Sequence, residues 1–243
     1  MPPDSKQPPQ KVFSGKPKAR RFLIPPIERR SFFIQFTLLT VLGWVVGGIA
    51  SIGIEINIVK IVPPAILQQK IWYDFTKYFS NCVFALIFST DQALVLYKYI
   101  SGWWWMFATT LGWLIANSVS AQWIHDIASI ASSFNQNLSP KQIVILGFLS
   151  TIAYILSGIW LGFFQWLILR RHTTSACWWI FLPSISFLFI SILVVVLSLV
   201  QEFIPAVNRD QVVYLCKQGL TAVVLGAVPA IGLCILKRNS GST

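Results

Sequence analysis

The sequence predicts an all-α, polytopic membrane helix bundle: six transmembrane helices arranged as three pseudo-repeated helical hairpins. Three observations carry this reading. Of 243 residues, 55% are hydrophobic and only 11% charged, with a mean hydropathy of +0.67; an ordinary soluble domain carries about a quarter charged residues. Apolar runs long enough to cross a hydrocarbon layer of about 30 Å recur six times. Basic residues gather at alternate ends of those runs.

The first 30 residues contain Pro2, Pro3, Pro8, Pro9, Pro17, Pro25 and Pro26 and eight basic side chains, opposed only by Asp4 and Glu28. Such a composition cannot bury a core and predicts a disordered, cytoplasmic tail over 1–30. Basic residues beside an apolar span meet anionic lipid headgroups, at about 1 kcal/mol each near the surface. Lys16, Lys18, Arg20, Arg21, Arg29 and Arg30 are therefore expected at the membrane surface. Nucleic acid is excluded as a partner, because no soluble fold presents these residues among exposed aromatics. A cleaved secretory signal competes for the first run, with Gly48 and Ala50 as the small residues. The long basic region and the long apolar run argue against it.

The apolar runs cover 32–53, 76–98, 103–124, 142–169, 177–200 and 212–236. They define a membrane domain over 31–238, followed by a short cytoplasmic tail, 239–243. Polar connections separate them; 127–138 fits either a short amphipathic helix on the outer interface or a plain loop. With the tail inside, Lys98, Arg170, Arg171, Lys237 and Arg238 join the tail's basic residues on one face. Lys60, Lys70, Lys77, Lys141 and Arg209 fall on the other, and Lys217 lies near the outer end of the sixth run. Both termini are thus expected on the cytoplasmic side. Trp103, Trp104, Trp105, Trp178 and Trp179 are expected in an inner interfacial belt, and Trp72, Tyr73, Tyr78 and Trp123 in an outer one.

Odd runs echo one another. Thr40-Val41-Leu42-Gly43-Trp44 in the first matches Thr109-Thr110-Leu111-Gly112-Trp113 in the third. Even runs end alike, with Gln92 followed by aliphatics and Lys98, Gln165 followed by aliphatics and Arg170-Arg171, and Ile235-Leu236 before Lys237-Arg238. Three hairpins over about 32–101, 103–174 and 177–238 account for this, each copy keeping the orientation of the last. Gly43 and Gly47, Gly158 and Gly162, and Ala222, Gly226 and Ala230 recur at a spacing of four, which places them on one helix face where backbones approach closely. That face serves either contact within the bundle or contact with a second copy. Pro183 and Pro229 are expected to kink the fifth and sixth helices.

Asp91 is the only acid well inside a run, and a carboxylate there costs several kcal/mol unless paired, hydrated or protonated. Lys98, Arg170, Arg171 and Gln165 are the expected partners, with Gln92 beside it. A satisfied interhelical link is the preferred reading; a proton, cation or substrate contact is the alternative. Gln35, Asn117 and Gln218 suit interhelical hydrogen bonds.

No constellation for catalysis is present. There is no H-E-x-x-H, phosphate-binding loop or G-x-G-x-x-G, no His lies inside a run, and an aspartic pair would need a second acid. Cys82, Cys177, Cys216 and Cys234 have no C-x-x-C spacing, and with two outlying histidines they suggest no metal site. Neither enzyme activity nor a cofactor is expected.

The run Gly158-x-x-x-Gly162-x-x-Gln165-Trp166-Leu167-x-Leu169-Arg170-Arg171, followed by Trp178-Trp179, resembles a group of small multi-pass membrane proteins of cyanobacteria. The likeness covers about 158–179, with partial echoes at 92–105 and 226–238. It implies a bacterial plasma or thylakoid membrane and no particular activity. Mitochondrial carriers also have three hairpins, but their P-x-[DE]-x-x-[KR] signature is missing near 53, 124 and 200. Two functions fit the sequence. The first is a non-catalytic scaffold or regulator of other membrane proteins, or of copies of itself, contacting anionic headgroups at its inner face. The second is a small-solute or ion transporter using Asp91 and the intramembrane glutamines.

Overall fold

The computed structural model describes residues 22–63, 66, 69–133 and 139–239. Among them run six long helices: α1 (Arg29–Ile61), α2 (Lys70–Leu96), α3 (Gly102–Ser133), α4 (Pro140–His172), α5 (Leu182–Val200) and α6 (Arg209–Ile235). Short connections make chain neighbours antiparallel. Each helix packs on the next, and α6 returns to α1, so the six close into a ring. Ser139 opens α4 with a capping box: its hydroxyl accepts from the Gln142 amide while the Gln142 side chain accepts from the Ser139 amide.

Five of these helices, with their short 3₁₀ extensions, are long and apolar enough to cross a membrane. The exception is α3. Its five indoles, Asn117, Gln122, His125 and Asp126 lower its hydropathy, although it sits between α2 and α4 in the ring. Large apolar side chains stand exposed on every helix, including Leu38, Leu94, Leu111, Phe148, Phe189 and Ile231. A lipid phase is the solvent that makes such a surface favourable.

The helices outrun the apolar runs. At 33 residues, α1 and α4 are about 50 Å long, against a hydrocarbon thickness of about 30 Å. Glu55, expected in a loop, lies instead on α1, where Lys77 Nζ from α2 meets its Oε2 at 2.6 Å and Ser80 donates to its Oε1 at 2.7 Å. The reason is that charges on a helix that projects past the lipid cost little. Residues 127–133 likewise continue α3, while 134–138 lie outside the described residues. Pro183 is the second residue of α5 and starts that helix, where its missing N–H is harmless, so it does not kink it; Pro229 does lie inside α6.

One end of the bundle carries Lys98, Arg170, Arg171, Lys237 and Arg238; we refer to it as the basic end. Here Thr173–Thr174 (β1) pairs antiparallel with Lys237–Arg238 (β2), and Phe22 bridges to Lys237 from the other side. The Leu23 amide donates to Leu236 O at 2.8 Å, and the Asn239 amide to His172 O at 2.9 Å. The expected tail boundary at residue 30 is therefore too late. Leu23 and Ile24 are fully buried, Pro26–Glu28 forms a 3₁₀ turn, and α1 begins at Arg29. Three apolar residues, Phe22 to Ile24, dock where averaging over the prolines and lysines concealed them. Lys16, Lys18, Arg20 and Arg21 lie outside the described residues, as do 240–243.

Burial is uneven along the axis. The buried residues of α1 are Phe32, Phe36, Thr40, Gly43 and Gly47, and none follows. Likewise α3 buries nothing after Ser120, and α4 nothing described before Ala153. The main core gathers Ile24, Phe36, Leu96, Trp105, Leu169, Trp179 and Leu233 at the basic end. A second cluster at mid-depth holds Phe88, Trp113, Leu161, Phe187 and Leu225.

Candidate functional site

The polar groups inside the ring are arranged around indoles. The first lies at the junction of α2 and α3, where Trp105 Nε1 donates to Gln92 Oε1 at 3.4 Å. At the junction of α4 and α5, Trp179 Nε1 donates to Gln165 Oε1 at 3.0 Å, and Gln165 Nε2 passes a hydrogen bond to Thr109 Oγ1 at 3.1 Å. Where α6 meets α1, Trp44 Nε1 donates to Gln218 Oε1 at 2.9 Å. Every junction from an even helix to the following odd one thus holds one indole–amide bond. Away from water, an unmet N–H or amide would cost its full desolvation, so each pair removes two penalties at once.

Trp105 and Trp179 were expected in the interfacial belt; both are fully buried. Their neighbours Trp103, Trp104 and Trp178 are exposed. A helix turns about 100° per residue, so consecutive indoles cannot all face lipid. The signal was available: Gln92 precedes Trp105 by 13 residues and Gln165 precedes Trp179 by 14.

Beyond these pairs the interior is aromatic. Trp44 meets Phe84, Phe88 and Trp113 edge-on, with ring centroids 5.0, 5.9 and 5.8 Å away. Phe187 stacks on Tyr154 at 4.7 Å and meets Trp113 edge-on at 6.5 Å. These rings occupy the middle of the ring of helices in the T-shaped and stacked geometries that aromatics prefer. Polar links here are few: Ser89 and Thr110 share a hydrogen bond of 2.7 Å, and Asn117 Nδ2 donates to Asn81 Oδ1 at 3.2 Å.

The residues expected to surround Asp91 are not gathered around it. Its carboxylate packs against Gly43, where an added Cβ would stand 2.6 Å from Oδ2. Lys98, Arg170 and Arg171 form no ion pair with it; Arg170 lies over the Trp166 ring at 5.2 Å. Gln92 and Gln165 are committed to indoles.

The other glycines expected on packing faces meet neighbours within the chain. A Cβ on Gly158 would lie 2.7 Å from the Ser184 amide nitrogen, and one on Gly162 would collide with the Ile180 carbonyl. Gly226 faces the Thr37 backbone at 2.9 Å and Gly47 the Phe84 carbonyl at 3.2 Å. They are the points where α4 meets α5 and its preceding turn, α6 meets α1, and α1 meets α2.

The basic end holds a cavity of about 530 Å³ lined by Phe22, Pro25, Glu28, Lys98, Tyr99 and Arg238, among others. The Tyr99 hydroxyl donates to Glu28 Oε2 at 2.5 Å. Burial, followed by that hydrogen bond, raises the phenol well above its ordinary range, so it remains a donor at neutral pH. Arg29 caps the Phe22 ring at 4.2 Å, and its Nε and Nη2 are buried without a hydrogen-bond partner among the described residues; Arg30 is exposed. At the far end, Trp123, Ile127, Ile130, Leu149, Ile152 and Leu156 border an apolar groove of about 290 Å³ between α3 and α4. Asp91 lines neither space. Among the described residues no three His, Cys, Asp or Glu side chains converge as metal ligands, and the four cysteines are free thiols.

Compared with known proteins, the chain matches no family model, no curated protein and no solved structure.

Proposed function

We propose that this chain is a non-catalytic integral membrane protein that scaffolds or regulates other membrane proteins through its basic end. One observation carries the reading. The interior is filled by Trp44, Phe84, Phe88, Trp113 and Phe187 in mutual contact, and its glutamines are bonded to indoles. Packed rings and bonded amides of this kind do not favour a solute path, although Thr40 Oγ1 and Trp113 Nε1 are buried without a partner among the described residues. Six spans with both termini on the cytoplasmic side complete the proposal, with α3 counted as a span because it lies between α2 and α4 in the ring. The join of 22–23 to 236–237 supports a common side for the two ends. The indole–amide bonds at the even-to-odd junctions favour three like-facing hairpins. Anionic headgroups at the basic end and, as the resemblance implies, a cyanobacterial plasma or thylakoid membrane are the proposed setting.

Single cysteines, introduced after Cys82, Cys177, Cys216 and Cys234 are replaced by serine, test the topology. Lys98→Cys and Asn239→Cys should react with a membrane-impermeant maleimide from one side, and Gln69→Cys and Glu202→Cys from the other. Labelling of 98 and 239 from opposite sides refutes it. For function, the full chain and a form lacking 1–21 are purified from mild detergent. A defined membrane partner that co-purifies with the first and is lost from the second supports the scaffold.

A transporter is the second reading, favoured by Asp91, which makes no hydrogen bond or ion pair with the described residues. In proteoliposomes, Asp91→Asn should abolish flux if that reading holds. The scaffold predicts no flux in either protein.

A further inference from the structure

We infer that the cavity at the basic end is a binding site for a phosphate-bearing anion. Its wall is built from three separate stretches of chain: the segment ahead of α1 (Phe22, Pro25, Glu28), the turn between α2 and α3 (Lys98, Tyr99) and the C-terminal strand (Arg238). Lys98 and Arg238 face it against the single carboxylate of Glu28, so the lining is net positive. That carboxylate is engaged by the Tyr99 hydroxyl, which leaves the two cations without an acid in reach: neither forms an ion pair among the described residues. Arg29 is outside the lining but lies over the ring of Phe22, a lining residue, and two of its guanidinium nitrogens are buried without an acceptor among the described residues.

Lys98 and Arg238 are exposed and line one cavity with no ion-paired acid among the described residues, a setting in which an anion gains charge-assisted hydrogen bonds from both. Arginine is suited to phosphate oxygens through paired N–H donors, and lysine as a point charge. The site is also preorganised. Pro25 and Pro26 restrict the backbone of one wall, and the bridge from Phe22 to Lys237 holds that wall against the strand bearing Arg238. A volume of about 530 Å³ admits a phosphate with a small polar substituent, within the usual range for small-ligand pockets. The cavity lies where the helices leave the lipid, so the phosphate could belong to a lipid headgroup or to a soluble molecule. The chemistry recognised is the same. Occupancy would tie the chain's two ends to the α2–α3 turn, whatever partner the basic end recruits.

The test uses the full-length protein in a neutral detergent with three probes: inorganic phosphate, dihexanoyl phosphatidylglycerol and dihexanoyl phosphatidylcholine. Binding is read by calorimetry and by the shift in thermal unfolding. Phosphatidylglycerol, inorganic phosphate or both should bind more tightly than phosphatidylcholine. Binding of the lipid alone assigns a headgroup; binding of both assigns the phosphate itself. The double variant Lys98→Gln/Arg238→Gln should weaken the interaction about tenfold or more, the loss expected for charged hydrogen bonds. Glu28→Gln should tighten it, since the amide still accepts from Tyr99 but no longer repels the anion. Lys60→Gln, on the far part of α1, serves as the control. Equal affinity in all four proteins, or no preference for the phosphate-bearing anions over phosphatidylcholine, overturns the assignment.

Discussion

The basic end and the far end are built from the same six helices yet held by different forces. From mid-depth to the basic end, backbones touch at Gly158 and Gly162, indoles are buried against glutamines, and short strand pairings join 22 and 173–174 to 237–238. At the far end α1 runs on for 14 residues beyond Gly47 without burying one, and Glu55, Lys77 and Ser80 join α1 to α2 through side chains. Gly53, Gly147 and Gly219 have nothing within 4 Å of an added Cβ. In a lipid solvent apolar contact between helices gains little over contact with lipid. Close packing and internal hydrogen bonds then decide where a bundle is rigid, and here both are concentrated toward one end.

The sharpest way to break this contrast is a matched set of glycine substitutions. Gly162→Val forces a side chain into the Ile180 carbonyl and should cost about 1–3 kcal/mol or more, as overpacking does. Gly147→Val and Gly219→Val enter open space and should cost less than about 1 kcal/mol. Unfolding of the purified protein in mixed micelles measures all three, and equal losses would erase the distinction. Next in size is Gln165→Leu, which strands the Trp179 N–H and removes the donor to Thr109. A cycle with Trp179→Phe should return a coupling of about 0.6–1.7 kcal/mol, the range for hydrogen bonds between membrane helices; a coupling near zero would mean the indole finds another acceptor. The smallest effect is expected at the far end. Glu55 and Lys77 are partly exposed, and Glu55 lies about 39 Å along α1 from Arg29, so Glu55→Gln should cost about 0.2–1 kcal/mol and less at high salt. A larger, salt-insensitive loss would show that the far end is tied more tightly than its burial implies.

Asp91 shows why the site was only partly legible. Its position seven residues before Lys98 suggested a partner on its own face, yet the carboxylate lies against Gly43 on α1. Sequence spacing locates neighbours on one helix, whereas the contacts of an inward-facing residue depend on how the next helix is rotated. Phe22, Glu28, Tyr99 and Arg238 come from stretches more than 70 residues apart, and no local pattern joins them. The Trp–Gln pairs lay between these extremes. Both residue types stood out, and their similar spacing in two hairpins was visible, but belt and core are equally good places for an indole until the facing helix is known.

Composition and hydropathy by themselves determined that the chain is helical, how many long helices it has, and which of their ends are basic, because lipid solvation requires internally bonded backbone and sorts charge by position. Tertiary structure alone decided the closing of the ring, the choice of Trp105 and Trp179 over their neighbours for burial, the docking of 22–24 beside the C-terminal strand, and the placing of Asp91 against Gly43. Those outcomes rest on the rotation and approach of one helix against another, which small residues permit but do not direct.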